Sequence, residues 1–267
     1  MENNQYLYNN PLSRMPTERQ KFFIAIDHGL SFPEMLGLER PFDILKLVAD
    51  NKDVDGVIAS LGAYRQAEKL DINLEDKTKL LLVDYATVQE QSNRAVLTQR
   101  KMIVKPEETQ IVNPQGFKMF LNIYEDSKDL YQNCRDLERF AVYGAQHGIA
   151  TLAEIMFYGN RAFENPETQA SELIRGCRIA MELGADALKI PYISDLSVVN
   201  QIADTLKLPI YLLGGNKQTD YNKFLTQLKA ICECKADGFM FGRNIWQSDD
   251  IQHTVNDIVR ILHNGSV

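Results

Sequence analysis

Short runs of apolar and β-branched residues alternate with longer amphipathic segments along the chain, and this alternation limits the fold more than any other feature. The runs are KFFIAID (21–27), VDGVIAS (54–60), KLLLVDY (79–85), GFKMFLNIY (116–124), IATLAEIMFY (149–158), ADALKIPY (185–192), LPIYLLGG (208–215) and ADGFMFGRN (236–244). Between and after them lie stretches with apolar residues at helical spacing, such as DSKDLYQNCRDLERFAVYGAQHG, PETQASELIRGCRIAMELG and DDIQHTVNDIVRILHN. Strands interleaved with helices predict βαβ units and a parallel sheet. Eight such units in 267 residues predict a (β/α)8 TIM barrel, one α/β domain over 1–267 with an N-terminal extension at 1–20. Residues 86–115 read as long and irregular, a lid or an insertion in one βα loop.

Several function classes fall away on composition. A formal charge of −7 provides no basic footprint for nucleic acid. Cys134, Cys177, Cys232 and Cys234 are too few and too scattered for a disulfide scaffold. No stretch approaches a membrane span, and the N-terminus lacks an apolar targeting core, so a cytoplasmic protein is expected. Of the four histidines, His147, His253 and His263 fall in or at the end of predicted helices. No histidine cluster for zinc is evident beside His28, and a metal-free, cofactor-free chemistry is expected.

In a barrel of this kind the reactive face is the carboxyl end of the strands. One residue there breaks the pattern. In GADALKIPYISD, Lys189 interrupts an apolar run. Side chains of a strand alternate between faces, so Leu188 and Ile190 pack outward while Ala185, Ala187 and Lys189 face the lumen. The first strand repeats this, with Ile24 and Ile26 outward and Ala25 and Asp27 inward. A lysine in that setting loses hydration, which disfavours its charged form. The neutral amine attacks carbonyls to form a Schiff base. The competing reading is a strand-end lysine paired with a carboxylate.

The glycines after the last two strands favour the chemical reading. Phosphate binds in such barrels where bare backbone N–H groups converge after strands seven and eight. LLGGNKQTD supplies Gly214 and Gly215 with Lys217 nearby, and MFGRN supplies Gly242 and the fixed cation Arg243. Asp27 either orients a hydroxyl, relays a proton, pairs with Lys189 or caps the following loop. His28 either contacts the ligand or is structural. On the fifth strand Glu154, Met156 and Tyr158 share a face. An inward Tyr158 is a proton donor or barrel packing, and a buried Glu154 needs a partner, for which Lys189 is in reach.

These residues resemble the archaeal-type class I fructose-bisphosphate aldolases and their bacterial relatives, including an autoinducer-2 phosphate thiolase and aminodideoxyheptulosonate synthases. The resemblance runs over most of the chain through IAIDHGLSFPEMLGLERPFDILKLV, GADALKIPYISD, PIYLLGGNKQTD and GFMFGRNIWQSDD. It implies that Lys189 forms the Schiff base and Asp27 is the acid/base or orienting carboxylate. It also implies that Gly214, Gly215, Gly242 and Arg243 surround a phosphate. The substrate would be a phosphorylated sugar and the protein a homo-oligomer. Thiolase-like or transaldolase-like transfer, and a non-catalytic phosphosugar sensor, are the alternatives. Fructose-bisphosphate members end strand five with Trp-x-Tyr-Pro-Arg-Gly, whereas Met156-Phe157-Tyr158-Gly159-Asn160-Arg161 stands here and leaves the sugar open.

Overall fold

The strands close on themselves. In the computed structural model, which describes residues 10–14, 19–31, 36–91, 94–123, 127–157 and 166–264, eight parallel strands form a closed barrel. They are β1 (Lys21–Ala25), β2 (Gly56–Ala59), β3 (Thr78–Leu82), β6 (Gly116–Asn122), β7 (Ala150–Met156), β8 (Ala187–Pro191), β9 (Ile210–Leu213) and β10 (Gly238–Phe241), neighbours in chain order, with β10 returning to β1. Each matches one of the eight predicted runs. The expected TIM barrel is the observed fold. Among the described residues no helix is long and apolar enough to cross a membrane.

Helices follow most strands and bury one stripe each. In α5 (Ser197–Leu206) the buried stripe is Val198, Val199 and Ile202, and in α6 (Tyr221–Glu233) it is Phe224, Leu228 and Ile231. The Asp220 side chain caps α6 by accepting from the Lys223 N–H at 3.1 Å. Outward strand residues, among them Ile24, Leu188 and Ile190, join this outer core. Ala185 joins it too, which corrects the expected lumen placement: it precedes β8, so the strict alternation starts only at Ala187.

The lumen has its own apolar floor, built from Phe23, Ile58, Leu80, Leu152, Tyr211, Met240 and smaller neighbours. The chain before β1 seals it from below. Leu12 is fully buried in this cluster, and its carbonyl accepts from the Tyr211 hydroxyl at 2.5 Å. Lys21 Nζ donates to the Pro11 carbonyl at 2.8 Å, and Asn10 Nδ2 to that of Asp186 at 2.9 Å.

The segment expected to be irregular is ordered instead. β4 (Asp84–Gln91) and β5 (Arg94–Met102) form an antiparallel two-stranded sheet, and a 3-10 turn at Pro106–Val112 leads into β6. This hairpin leaves the carboxyl end of β3, on the face where chemistry is expected.

Truncating a buried leucine removes its contacts and leaves a cavity. Leu12→Ala is expected to lower unfolding free energy by about 2–5 kcal/mol in urea titrations. A loss under about 0.5 kcal/mol, the range of ordinary surface changes, would mean that the floor closes without it.

Candidate active site

Four ionisable side chains meet in the lumen above that floor: Asp27, Lys118, Glu154 and Lys189. Their residues are 7%, 0%, 5% and 3% exposed. Strand alternation puts three of them there, since Lys118 on β6, Glu154 on β7 and Lys189 on β8 all project inward. Asp27 opens the 3-10 turn Asp27–Leu30 just beyond β1.

One oxygen joins the two lysines. Glu154 Oε2 lies 2.5 Å from Lys118 Nζ and 3.0 Å from Lys189 Nζ. Lys118 Nζ also lies 3.0 Å from Asp27 Oδ2, and 3.2 Å from the centre of the Phe120 ring beside it. His28 Nδ1 lies 3.4 Å from the other Asp27 oxygen. Two carboxylates facing two lysine amines in this way supply partners for one another, which is what makes their burial tolerable.

The balance decides how each group titrates. Burial pushes the Asp27 carboxyl up, but Lys118, the His28 hydrogen bond and Lys189 together hold it well below the usual carboxylate range. Burial likewise raises Glu154, and Lys118 with Lys189 brings it below its ordinary value. For Lys118 burial lowers the ammonium, yet Asp27 and Glu154 prevail and raise it. Lys118 is therefore a permanent cation at neutral pH.

The cluster forms one wall of a cleft. On the side of β9, β10 and β1 the cleft is lined by Gly214, Gly215, Gly242, Arg243, His28 and Ser31. Phe120 and Met156 line it across the barrel, at the ends of β6 and β7. Gly215 has φ of +63°, a conformation that glycine adopts without strain. At Gly242 a Cβ would lie 2.8 Å from His28 Cε1 and 2.9 Å from the Ala25 carbonyl, so only glycine lets the turn sit this close to β1. The short helix α7 (Arg243–Trp246) follows, and Trp246 Nε1 donates to the Ala25 carbonyl at 3.0 Å. Asn244 ties the two glycine loops together. Its Nδ2 donates to the Gly214 carbonyl at 2.7 Å, and its Oδ1 accepts from the Gln218 N–H at 2.8 Å.

The structure thus brings Lys189, Asp27, Glu154, His28, Gly214, Gly215, Gly242 and Arg243 to one cleft. Lys217 is not among the lining residues. Its ammonium donates to the Gln247 carbonyl and faces Asp249 at 3.9 Å, because that carbonyl is nearer than the cleft. Tyr158 lies outside the described residues. Lys189 pairs with a carboxylate, as the competing reading expects, and it also lines the cleft.

Sequence reasoning missed Lys118 and Asn244. Lys118 was open to the argument made for Lys189, since Phe117, Met119 and Leu121 face outward around it. Among the described residues no group of three or more His, Cys, Asp and Glu side chains is placed to hold a metal ion.

Comparison with known proteins places these residues in context. Residues 24–248 match the family profile described as DeoC/LacD family aldolase. An uncharacterized aldolase of Saccharolobus solfataricus is 22% identical over 91% of this chain and 89% of its own. A 2-amino-3,7-dideoxy-D-threo-hept-6-ulosonate synthase of Archaeoglobus fulgidus is 27% identical over 94% of this chain and 88% of its own. Among solved structures, an archaeal fructose-1,6-bisphosphate aldolase, with its catalytic lysine bound to a carbinolamine intermediate, superposes with a TM-score of 0.72. It is 22% identical, and 91% of this chain and 94% of that one are covered.

The charge balance gives a signed pH dependence. Asp27 and Glu154 titrate lower folded than unfolded, so their stabilisation is present above about pH 4 and is lost as pH falls through the folded values. Lys118 titrates higher folded, so its stabilisation is present below about pH 10 and is lost as pH rises through the folded value. Lys118→Met leaves two buried carboxylates facing one ammonium, and is expected to cost about 3–5 kcal/mol at pH 7. The gap to the parent narrows below about pH 4, where the carboxyls are protonated in the variant and protonating in the parent. Urea unfolding between pH 3 and 8 checks this, and a gap independent of pH contradicts it.

Proposed function

This chain belongs to the DeoC/LacD family of aldolases, and from that premise we propose that it is a class I, Schiff-base aldolase of a phosphorylated ketose, such as fructose 1,6-bisphosphate or a related sugar phosphate. One observation carries the reading: a buried lysine amine, Lys189, lies 3.0 Å from a proton acceptor and lines the cleft that contains the glycine turns and Arg243.

The two lysines have different tasks. Lys118 faces two carboxylates at 2.5 and 3.0 Å and stays charged, which disqualifies it as the nucleophile. Lys189 passes a proton to Glu154 and attacks the substrate carbonyl carbon. The carbinolamine loses water and becomes a protonated imine. A carboxylate then takes the proton of the hydroxyl one carbon beyond the bond to be broken. The electrons of that C–C bond flow to the imine nitrogen, an aldehyde departs, and an enamine remains. Protonation of the enamine carbon restores the imine, and water releases the second product from Lys189. The proton leaving Lys189 stays inside the cluster, so the buried charge sum does not change.

Asp27 orients the substrate hydroxyls and exchanges protons with them, aided by His28. Tyr158 serves as donor at the cleaved carbon, a role that rests on the sequence resemblance. Gly214, Gly215, Gly242 and Arg243 take the phosphate, through backbone N–H groups and a guanidinium. Gripping one end fixes the reacting carbon against Lys189, which is catalysis by positioning.

A second reading keeps the imine but delivers the carbon fragment to another acceptor, and the Archaeoglobus fulgidus relative is named a synthase. Its support is the 27% identity over 94% of this chain. Borohydride reduction in the presence of phosphorylated ketoses, followed by mass spectrometry, distinguishes the two by the mass left on Lys189. Lys189→Met is expected to abolish trapping and lower turnover by at least about 10³-fold. Full activity in that variant, or adduct on another residue, would end the Schiff-base reading.

A further inference from the structure

The hairpin β4–β5 is joined to the active cluster by a chain of buried contacts. Asp84, its first residue, is fully buried. Arg100 on β5 reaches it with Nε at 2.7 Å and reaches Asp136 with Nη1 at 3.2 Å. Asp136 belongs to α3 (Ser127–His147), the helix packed behind β6 and β7. Both carboxylate oxygens of Asp84 accept from the Phe120 N–H at 3.2 Å. The other end of that residue is pinned as well, since Asn133 Nδ2 of α3 donates to the Phe120 carbonyl at 2.7 Å. Phe120 is two residues beyond Lys118 on β6, and its ring is the one against the Lys118 ammonium. The strand itself is tied at the hairpin root, where the Val83 N–H donates to the Lys118 carbonyl at 3.2 Å. β4 also packs against the Asp27–Leu30 turn.

Phe120 N–H lies where β6 has run past the end of β3, so no barrel strand remains to receive it. A neutral acceptor or a water would satisfy a lone N–H. A buried carboxylate with its own arginine is a costlier solution than that task needs. What the carboxylate adds is negative charge beside Lys118 and a fixed orientation for the ring lying against it. We propose that Asp84, clamped by Arg100, is a positioning residue for Lys118, acting through Phe120, and that the β4–β5 hairpin is in this way a working part of the active site.

The proposal rests on the aldolase reading, in which Lys118 is the permanent cation of the cluster. Loss of Asp84 leaves Lys189 and the phosphate loops in place but frees the Phe120 ring and the Lys118 ammonium. Chemistry then suffers more than binding. A displacement of the order of 1 Å at a catalytic group costs about 10²-fold in rate.

The test starts with the parent enzyme, trapped with borohydride and a panel of phosphorylated ketoses to identify a substrate. With that substrate, Asp84→Asn is expected to lower kcat by about ten- to a hundredfold. KM should stay within about twofold, and Lys189 should still be trapped to the parent extent. Asp84→Glu, which restores the charge, is expected to recover part of the loss. Asp136→Asn loosens Arg100 from outside and should move kcat in the same direction by less, with an unchanged melting temperature. A parent kcat in both Asp84→Asn and Asp136→Asn overturns the proposal, as does a loss in Asp84→Asn matched by an equal loss of folded protein in circular dichroism. If Asp84→Asn does not fold, Asp136→Asn decides alone: lower kcat supports the proposal and unchanged kcat overturns it. A parent that traps no ketose defeats the aldolase reading and this proposal with it. A parent that traps normally beside unaffected variants defeats only this proposal.

Discussion

A single carboxylate oxygen shared by two buried lysine side chains governs the centre of this molecule. Glu154 Oε2 cannot satisfy Lys118 and Lys189 alone, so Asp27 completes the balance from the far side of Lys118. Each charge is affordable only because the other three are present, since an unpaired buried ion costs several kcal/mol. This ties β6, β7, β8 and the turn after β1 to one another by electrostatics as well as by hydrogen-bonded pairing. Beneath the cluster lies the apolar floor of Leu12, Phe23, Tyr211 and their neighbours.

The barrel converts this balance into direction. Lys118, Glu154 and Lys189 project inward from β6, β7 and β8, Asp27 lies just past β1, and all four line one cleft with the glycine turns after β9 and β10. Those turns are not loose. Asn244 fastens one to the other and Trp246 fastens the second to β1, the strand that leads into Asp27. An anion held there is held in a frame rigidly related to Lys189, which positioning demands. Phe120 and Met156 add apolar surface to the opposite wall, beside the charged cluster.

Much of this was legible in the residues. Helical and strand periodicities differ, so eight alternations sufficed for the barrel. Lys189 and Glu154 were legible because a charge inside an apolar strand must be paired or used. Lys118 obeyed the same rule, as a lone charge in the apolar run GFKMFLNIY. Lys217 shows the converse: proximity in sequence to a glycine turn does not fix where a long side chain points, and the Gln247 carbonyl takes it. The hairpin was illegible for a different reason. Its strands, DYATVQEQ and RAVLTQRKM, are mostly polar, lack the Asn-Gly or Asp-Gly turn signal, and shift register between Thr87 and Val88. Nothing local marks such a segment as paired.

What holds that hairpin to the barrel is the ion pair at its root, where Asp84 and Arg100 lie 16 positions apart in sequence and 2.7 Å apart in space. Such a pair is visible only once the strands are brought together, and it lies against the same stretch of β6 that carries Lys118. A βα loop usually varies without consequence for the scaffold beneath it. Here the loop shares a hydrogen bond with an active-site strand, so a change in the hairpin root must be felt at Phe120 and at the ammonium beside it. The contact extends past that root, since Ala86 is buried and β4 packs against β6 and the Asp27–Leu30 turn, so the first part of the hairpin belongs to the barrel as much as to the loop.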